Sequence, residues 1–185
     1  MFKKILIPVV LALMLAFSVS GCNEQARTYT VNAAIIGSQL IDLDKQFDTA
    51  VSDVNTINVF DDDEKAQLEQ VKQNLNQLRQ TIRDLIRRNG GVAQVLINAE
   101  QVRYLYQQGA LNYLTARSII AGHWEQLSTE QQQELRRFDQ QANALNEAII
   151  RIRDSPQTQD ITPIIRDVLT VGAATAKILL ATGVL

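Results

Sequence analysis

The chain has 185 residues, with 18 basic against 20 acidic side chains for a formal charge of −2, one histidine, one cysteine and a 46% share of hydrophobic residues. That mildly acidic balance excludes the basic footprint of a nucleic-acid binder. A lone cysteine excludes a disulfide framework, and a lone histidine excludes the paired-histidine metal motifs.

The chain opens on Lys3 and Lys4 followed by an apolar run from Ile5 to Phe17. Extended to Val19, the run is still short of the roughly 20 residues a bilayer-spanning helix needs, and Pro8 interrupts it. A short basic start, a short apolar stretch and then small residues read as a cleaved export signal. Val19-Ser20-Gly21-Cys22 then resembles the bacterial lipoprotein signal, in which an apolar residue and two small ones precede an acylated cysteine. The resemblance implies that Val19, Ser20 and Gly21 are the recognition residues and that residues 1–21 are removed. It also implies that Cys22 carries a thioether-linked diacylglycerol and an acylated amine, two or more chains and hence a stable anchor. No other cofactor is expected. Asn23 stands where the inner-membrane retention signal would place aspartate, which points to an outer-membrane lipoprotein facing the periplasm. Losing Lys3 and Lys4 leaves sixteen basic against twenty acidic residues, a charge of −4.

After a tether over residues 22–28, helical spacing dominates residues 29–154. In the first segment Tyr29, Ala33, Ile36, Leu40, Leu43, Phe47, Ala50, Val54 and Ile57 step by threes and fours, the spacing of one helix seam. Asp61, Asp62 and Asp63 supply cap oxygens and negative charge at the start of a second helix. Its seam is Leu68, Val71, Leu75, Leu78, Ile82 and Leu85, and it ends at Gly90-Gly91 with Arg83, Arg87 and Arg88 close to its carboxyl end. A third helix is expected from about Val92 to Leu127, with Val95, Ala99, Val102, Tyr106, Gly109, Tyr113, Ala116, Ile120 and Leu127 on one side. Gly109 there either permits a close helix approach, the favoured reading, or marks a bend, since glycine costs about 1 kcal/mol relative to alanine in a helix. Ser128 and Gln131 form a capping box for a fourth helix with the seam Leu135, Phe138, Ala142, Leu145, Ile149 and Ile152. Short connections between such segments predict an all-α fold, an antiparallel up-and-down bundle of four long helices, with intermolecular coiled coil as the alternative.

Residues 155–185 form a loop and a C-terminal apolar helix begun by Thr162-Pro163. Its apolar side carries Ile164, Val168, Val171, Ile178 and Leu185, and Gly172 with Ala176 makes a small-xxx-small pair suited to close helix contact. Val168, Val171, Gly172, Ala176, Ile178 and Leu179 are therefore the candidate residues for membrane or helix contact. Lys177 near the middle would cost about 2.5–3.5 kcal/mol inside a bilayer. Arg166, Thr170 and Lys177 form a polar stripe, so packing on the bundle, contact with a membrane surface and oligomerisation all fit the pattern. An N-terminal lipobox with a C-terminal apolar segment resembles the layout of phage unimolecular spanins, which implies a membrane-bridging function as the alternative reading.

Nothing in the remaining chain suggests catalysis or a metal site. His123-Trp124 reads as a helix-end histidine beside an aromatic core anchor. The acids Asp61, Asp62, Asp63 and Glu64 read as a solvated cap, and Arg79, Arg83 and Arg87 as a solvated face. Tyr106 and Tyr113 fall on the seam and Tyr104 off it. Gln131, Gln132 and Gln133 give a polar helical exterior. The expectation is a lipid-anchored, non-catalytic structural or interaction module with an envelope protein partner or self-association, and no nucleic-acid partner.

Overall fold

The computed structural model describes residues 28–48, 60–88, 93–154 and 160–181. Five helices form an all-α bundle: α1 (Ala33–Asp48), α2 (Asp62–Arg88), α3 (Ala99–Gly122), α4 (Thr129–Asp154) and α5 (Thr162–Ala181). A two-stranded antiparallel ribbon, β1 (Thr28–Asn32) with β2 (Gln94–Asn98), precedes α1 and α3.

The ribbon corrects the expected helix starts at Tyr29 and Val92. Tyr29, Thr30 and Val31 face Ile97, Leu96 and Val95 across the ladder, and branched or aromatic side chains of this kind favour extended backbone. Tyr29, Val31, Val95 and Ile97 alternate with exposed or half-buried neighbours and face the core. The third helix instead begins at Asn98, whose side chain accepts from Gln101 N–H at 2.9 Å while Gln101 returns a bond to the Asn98 amide. The expected continuation of the first helix through Ala50, Val54 and Ile57 lies outside the described residues.

Caps begin the other helices as well. Asn32 accepts from the amides of Ala34 and Ile35, and Asp61 pairs reciprocally with Glu64. The expected box of Ser128 and Gln131 is formed, with bonds of 2.9 and 3.2 Å. Asp160 accepts from both the amide and the hydroxyl of Thr162, whose Oγ1 in turn accepts the Asn32 amide at 2.8 Å. The starts of α1 and α5 are thereby tied together.

These contacts fix the direction of each helix. The starts of α1, α3 and α5 share the ribbon end, and α2 and α4 run back toward it. At the far end Glu64, in the first turn of α2, meets His123 at the close of α3. Farther along, Asn74 meets Asn112 between the same helices, and Tyr113 and Tyr106 of α3 meet Asp139 and Asn146 of α4 in antiparallel order. The bundle is up-and-down.

Helix α5 occupies its centre, packing most extensively on α3, then α1 and α4, while the backbones of α3 and α4 stay apart and are bridged by long side chains. Its thread through the bundle needs small residues where helices come close. A Cβ on Gly109 would lie 3.0 Å from Val168 Cγ1, so the expected close approach at Gly109 is made, and its partner is α5. A Cβ on Gly172 would lie 3.3 Å from Leu75 Cδ1 and 3.7 Å from Leu43 Cδ2. Helix α3 widens its seam with Leu105, Asn112 and Ile119, one row beyond the expected one, because it faces both α2 and α5.

Candidate functional site

Val19, Ser20, Gly21 and Cys22 lie outside the described residues. The first described residue, Thr28, stands six positions after Cys22 at the start of β1, so an anchor at Cys22 would be at most roughly 20 Å of chain from the ribbon end.

The candidate contact residues on α5 are all interior. Val168, Val171, Gly172, Ala176, Ile178 and Leu179 are buried, along with Ile164, Ile165, Leu169 and Ala174. Among the described residues no helix, α5 included, is long and apolar enough to cross a membrane. The expected polar stripe is present: Arg166 and Lys177 are exposed and Thr170 half-buried. Lys177 reaches Glu134 of α4 at 3.4 Å and lies 5.6 Å from the Phe138 ring centre, which seals the bundle surface over α5.

At the far end His123 closes α3 with its amide on Ile120 O, and its Nε2–H donates to the Glu64 carboxylate at 2.9 and 3.0 Å. The Phe60 ring stands edge-on to the imidazole at 4.9 Å. Because Glu64 also accepts the Asp61 amide, the pair splices the cap of α2 onto the end of α3. The solvated cap expected from the acid run holds for Asp61, Asp62 and Asp63, which are exposed; Glu64 is the member turned inward. A histidine and a carboxylate can move a proton, but no hydroxyl, thiol or amine nucleophile is hydrogen-bonded to this pair among the described residues.

A second polar layer was not foreseen from spacing. Tyr113 donates to Asp139 at 2.7 Å, and Arg117 holds the same carboxylate through Nε at 3.0 Å and Nη2 at 3.1 Å. Arg117 then lies over the Trp124 ring at 5.0 Å, with Arg136 at 5.9 Å from the same ring. Burial, reinforced by the Asp139 charge, pushes the Tyr113 hydroxyl far above the usual tyrosine range. Burial alone pushes Tyr106, bonded to Asn146 at 3.1 Å, up to about 12. Both tyrosines are therefore core groups with satisfied hydroxyls, as their seam positions suggested, and Tyr104 is exposed.

The arginine stripe on α2 departs from expectation. Arg79 is buried and binds Asp44 of α1 through Nε at 2.7 Å and Nη2 at 2.6 Å, and Arg83 binds the other oxygen of Asp44. Asn76 takes a further Arg79 N–H at 2.8 Å. One acid thus consumes two of the three arginines, and Arg87 alone of the stripe is exposed. The signal was Asp44 itself, an acid one position from the α1 seam, but its partners lie 35 and 39 residues away.

A cleft lined by Ile120, Leu127, Leu135, Phe138, Lys177 and Ile178 has about 30 Å³ of space, enough for a single water and well below a small-molecule site. Among the described residues no group of three or more His, Cys, Asp or Glu side chains is placed to hold a metal. No protein-family model, curated protein or solved structure matches the chain.

Proposed function

We propose that this is an envelope lipoprotein: Cys22 is acylated, residues 1–21 are removed, and the bundle acts at the membrane surface as a non-catalytic structural or protein-interaction module. The observation that carries the reading is the order Lys3-Lys4, apolar run, Val19-Ser20-Gly21-Cys22 at the N-terminus. Two features of the bundle support it. The apolar side chains of α5 are spent on the interior, so attachment falls to the acyl chains. The far end carries caps and ion pairs that serve the fold, Asp61 with Glu64, Glu64 with His123 and Arg117 with Asp139. Asn23 favours the outer membrane with the bundle in the periplasm.

The test is metabolic labelling with an alkyne fatty acid in a Gram-negative host. The chain takes label and sediments with membranes, and Cys22→Ala takes none and accumulates as the uncleaved precursor. Label retained in Cys22→Ala would refute the assignment.

A further inference from the structure

The exposed apolar residues of the bundle are sorted by end. Leu96, in the middle of β2, is 62% exposed, and Ile35, Tyr104 and Ile150 are the other large apolar side chains exposed close to it along the bundle axis. Ile35 is the third residue of α1, Tyr104 the sixth of α3 and Ile150 the fifth from the end of α4. At 1.5 Å per residue each lies within about 8 Å of the ribbon end. Ile41, midway along α1, is a further exposed large apolar residue.

Helix α2 is polarised along the same axis, although Glu100 and Asp160 are also exposed at the ribbon end. The ten residues of the ribbon carry no charge, although an edge strand is ordinarily protected by lysine, proline or a bulge. Helix α2 begins at the far end with exposed Asp61, Asp62 and Asp63 and finishes at the ribbon end with exposed Arg87 and Arg88. The ribbon's two edges also differ. The bond from Ala33 N to Ala93 O sets the parity of the ladder, so Thr30 and Asn32 turn their backbone outward on one edge and Gln94 and Leu96 on the other. The first edge is filled by Ile161 N on Thr30 O and by Thr162 Oγ1 on Asn32 N. On the second, neither Gln94 nor Leu96 has a hydrogen-bond partner among the described residues.

We infer that the ribbon end is a lipid-contact surface, with Leu96, Ile35, Tyr104 and Ile150 entering the boundary between headgroups and acyl chains and Arg87 and Arg88 facing anionic headgroups. The inference rests on the anchor at Cys22, which leaves only six residues between the acyl chains and Thr28. A tether that short presents the ribbon end to the bilayer and turns the acidic far end away from it. Apolar side chains beside basic ones are what an interfacial surface requires.

The test uses the chain from Cys22 onward, which contains every described residue. It is coupled through its one thiol to a maleimide-headgroup lipid in vesicles of phosphatidylethanolamine and phosphatidylglycerol with brominated acyl chains. Trp124, the one native tryptophan, reports the far end. Leu96→Trp adds a reporter at the ribbon and Ile35→Trp an independent one on α1. The added tryptophans shift to the blue and lose about half their emission to bromine, while Trp124 is unchanged. Quenching at positions 96 and 35 no greater than at Trp124 overturns the inference. A blue shift at 96 without bromine quenching also overturns it, because Leu96 then meets protein, such as the β2 edge of a second copy. The coupling is chemical, so failure of acylation at Cys22 in cells is read separately.

Discussion

Gly109 on α3 and Val168 on α5 meet so closely that a Cβ on the glycine would come within 3.0 Å of Val168 Cγ1 and 3.7 Å of the Val168 carbonyl oxygen. A single hydrogen in place of a methyl group lets α3 and α5 approach this closely at their crossing.

Gly109→Ala gains about 1 kcal/mol of helix propensity and loses a comparable amount to crowding, so it changes stability little. Gly109→Leu has no such offset and costs about 3 kcal/mol. Urea unfolding measures both. In Gly109→Ala/Val168→Ala the two changes couple favourably, because the valine methyl that blocks the new Cβ is gone. Strict additivity would mean the helices already separate at this point.

Asp44 holds Arg79 and Arg83 at once, and Arg79 is buried. Asp44→Ala removes the two charge-assisted bonds that Asp44 accepts from that buried guanidinium and costs about 3 kcal/mol. Arg83→Ala, which removes the more exposed partner and leaves the Asp44–Arg79 pair intact, costs about 1 kcal/mol. Equal losses in the two variants, read from thermal or urea melts, would contradict the pairing.

The buried tyrosines predict alkaline weakness. In the unfolded chain both ionise near 10, whereas in the fold Tyr106 is raised to about 12 and Tyr113 higher still. Their contribution is fully present below pH 10 and is lost as pH climbs from 10 through 12 and beyond, because the unfolded state then releases protons that the folded state keeps. Each tyrosine adds a slope of up to about 1.4 kcal/mol per pH unit above 10. Unfolding free energies at a series of pH values between 9 and 11.5 give the slope, and Tyr113→Phe lowers it by about half.

Helix seams were legible because the rows Leu68 to Ile82 and Val102 to Ile120 repeat at helical spacing, and one face of each helix is buried. The capping box of Ser128 and Gln131 was legible as a local pattern. The ribbon was not, for a physical reason. Tyr29 to Ala33 and Val95 to Ala99 are steps of four that extend a helical row, while Tyr29 with Val31 and Val95 with Ile97 alternate as a strand does. Both periods coincide at these joints, and the choice is made by pairing across 66 residues. Asn98 and Gln101 held the local clue, a second capping box marking the true start of α3. The far-reaching ion pairs of Asp44 and Arg117 depend on the fold and have no local pattern. The destination of α5 was open for a similar reason: an apolar helix with one polar stripe suits a bundle centre, a membrane surface or another chain until its neighbours are known.

Helix α5 is the core of the bundle, and on the proposed reading membrane attachment is left to the acyl chains. Hydrogen exchange of the mature chain, with and without vesicles, separates a docked α5 from a membrane-bound one. The amides from Val168 to Leu179 should be the slowest in the protein, exchanging only through global unfolding, and should be unchanged by vesicles. Fast exchange of α5 in water, with protection appearing only when vesicles are added, would contradict the account.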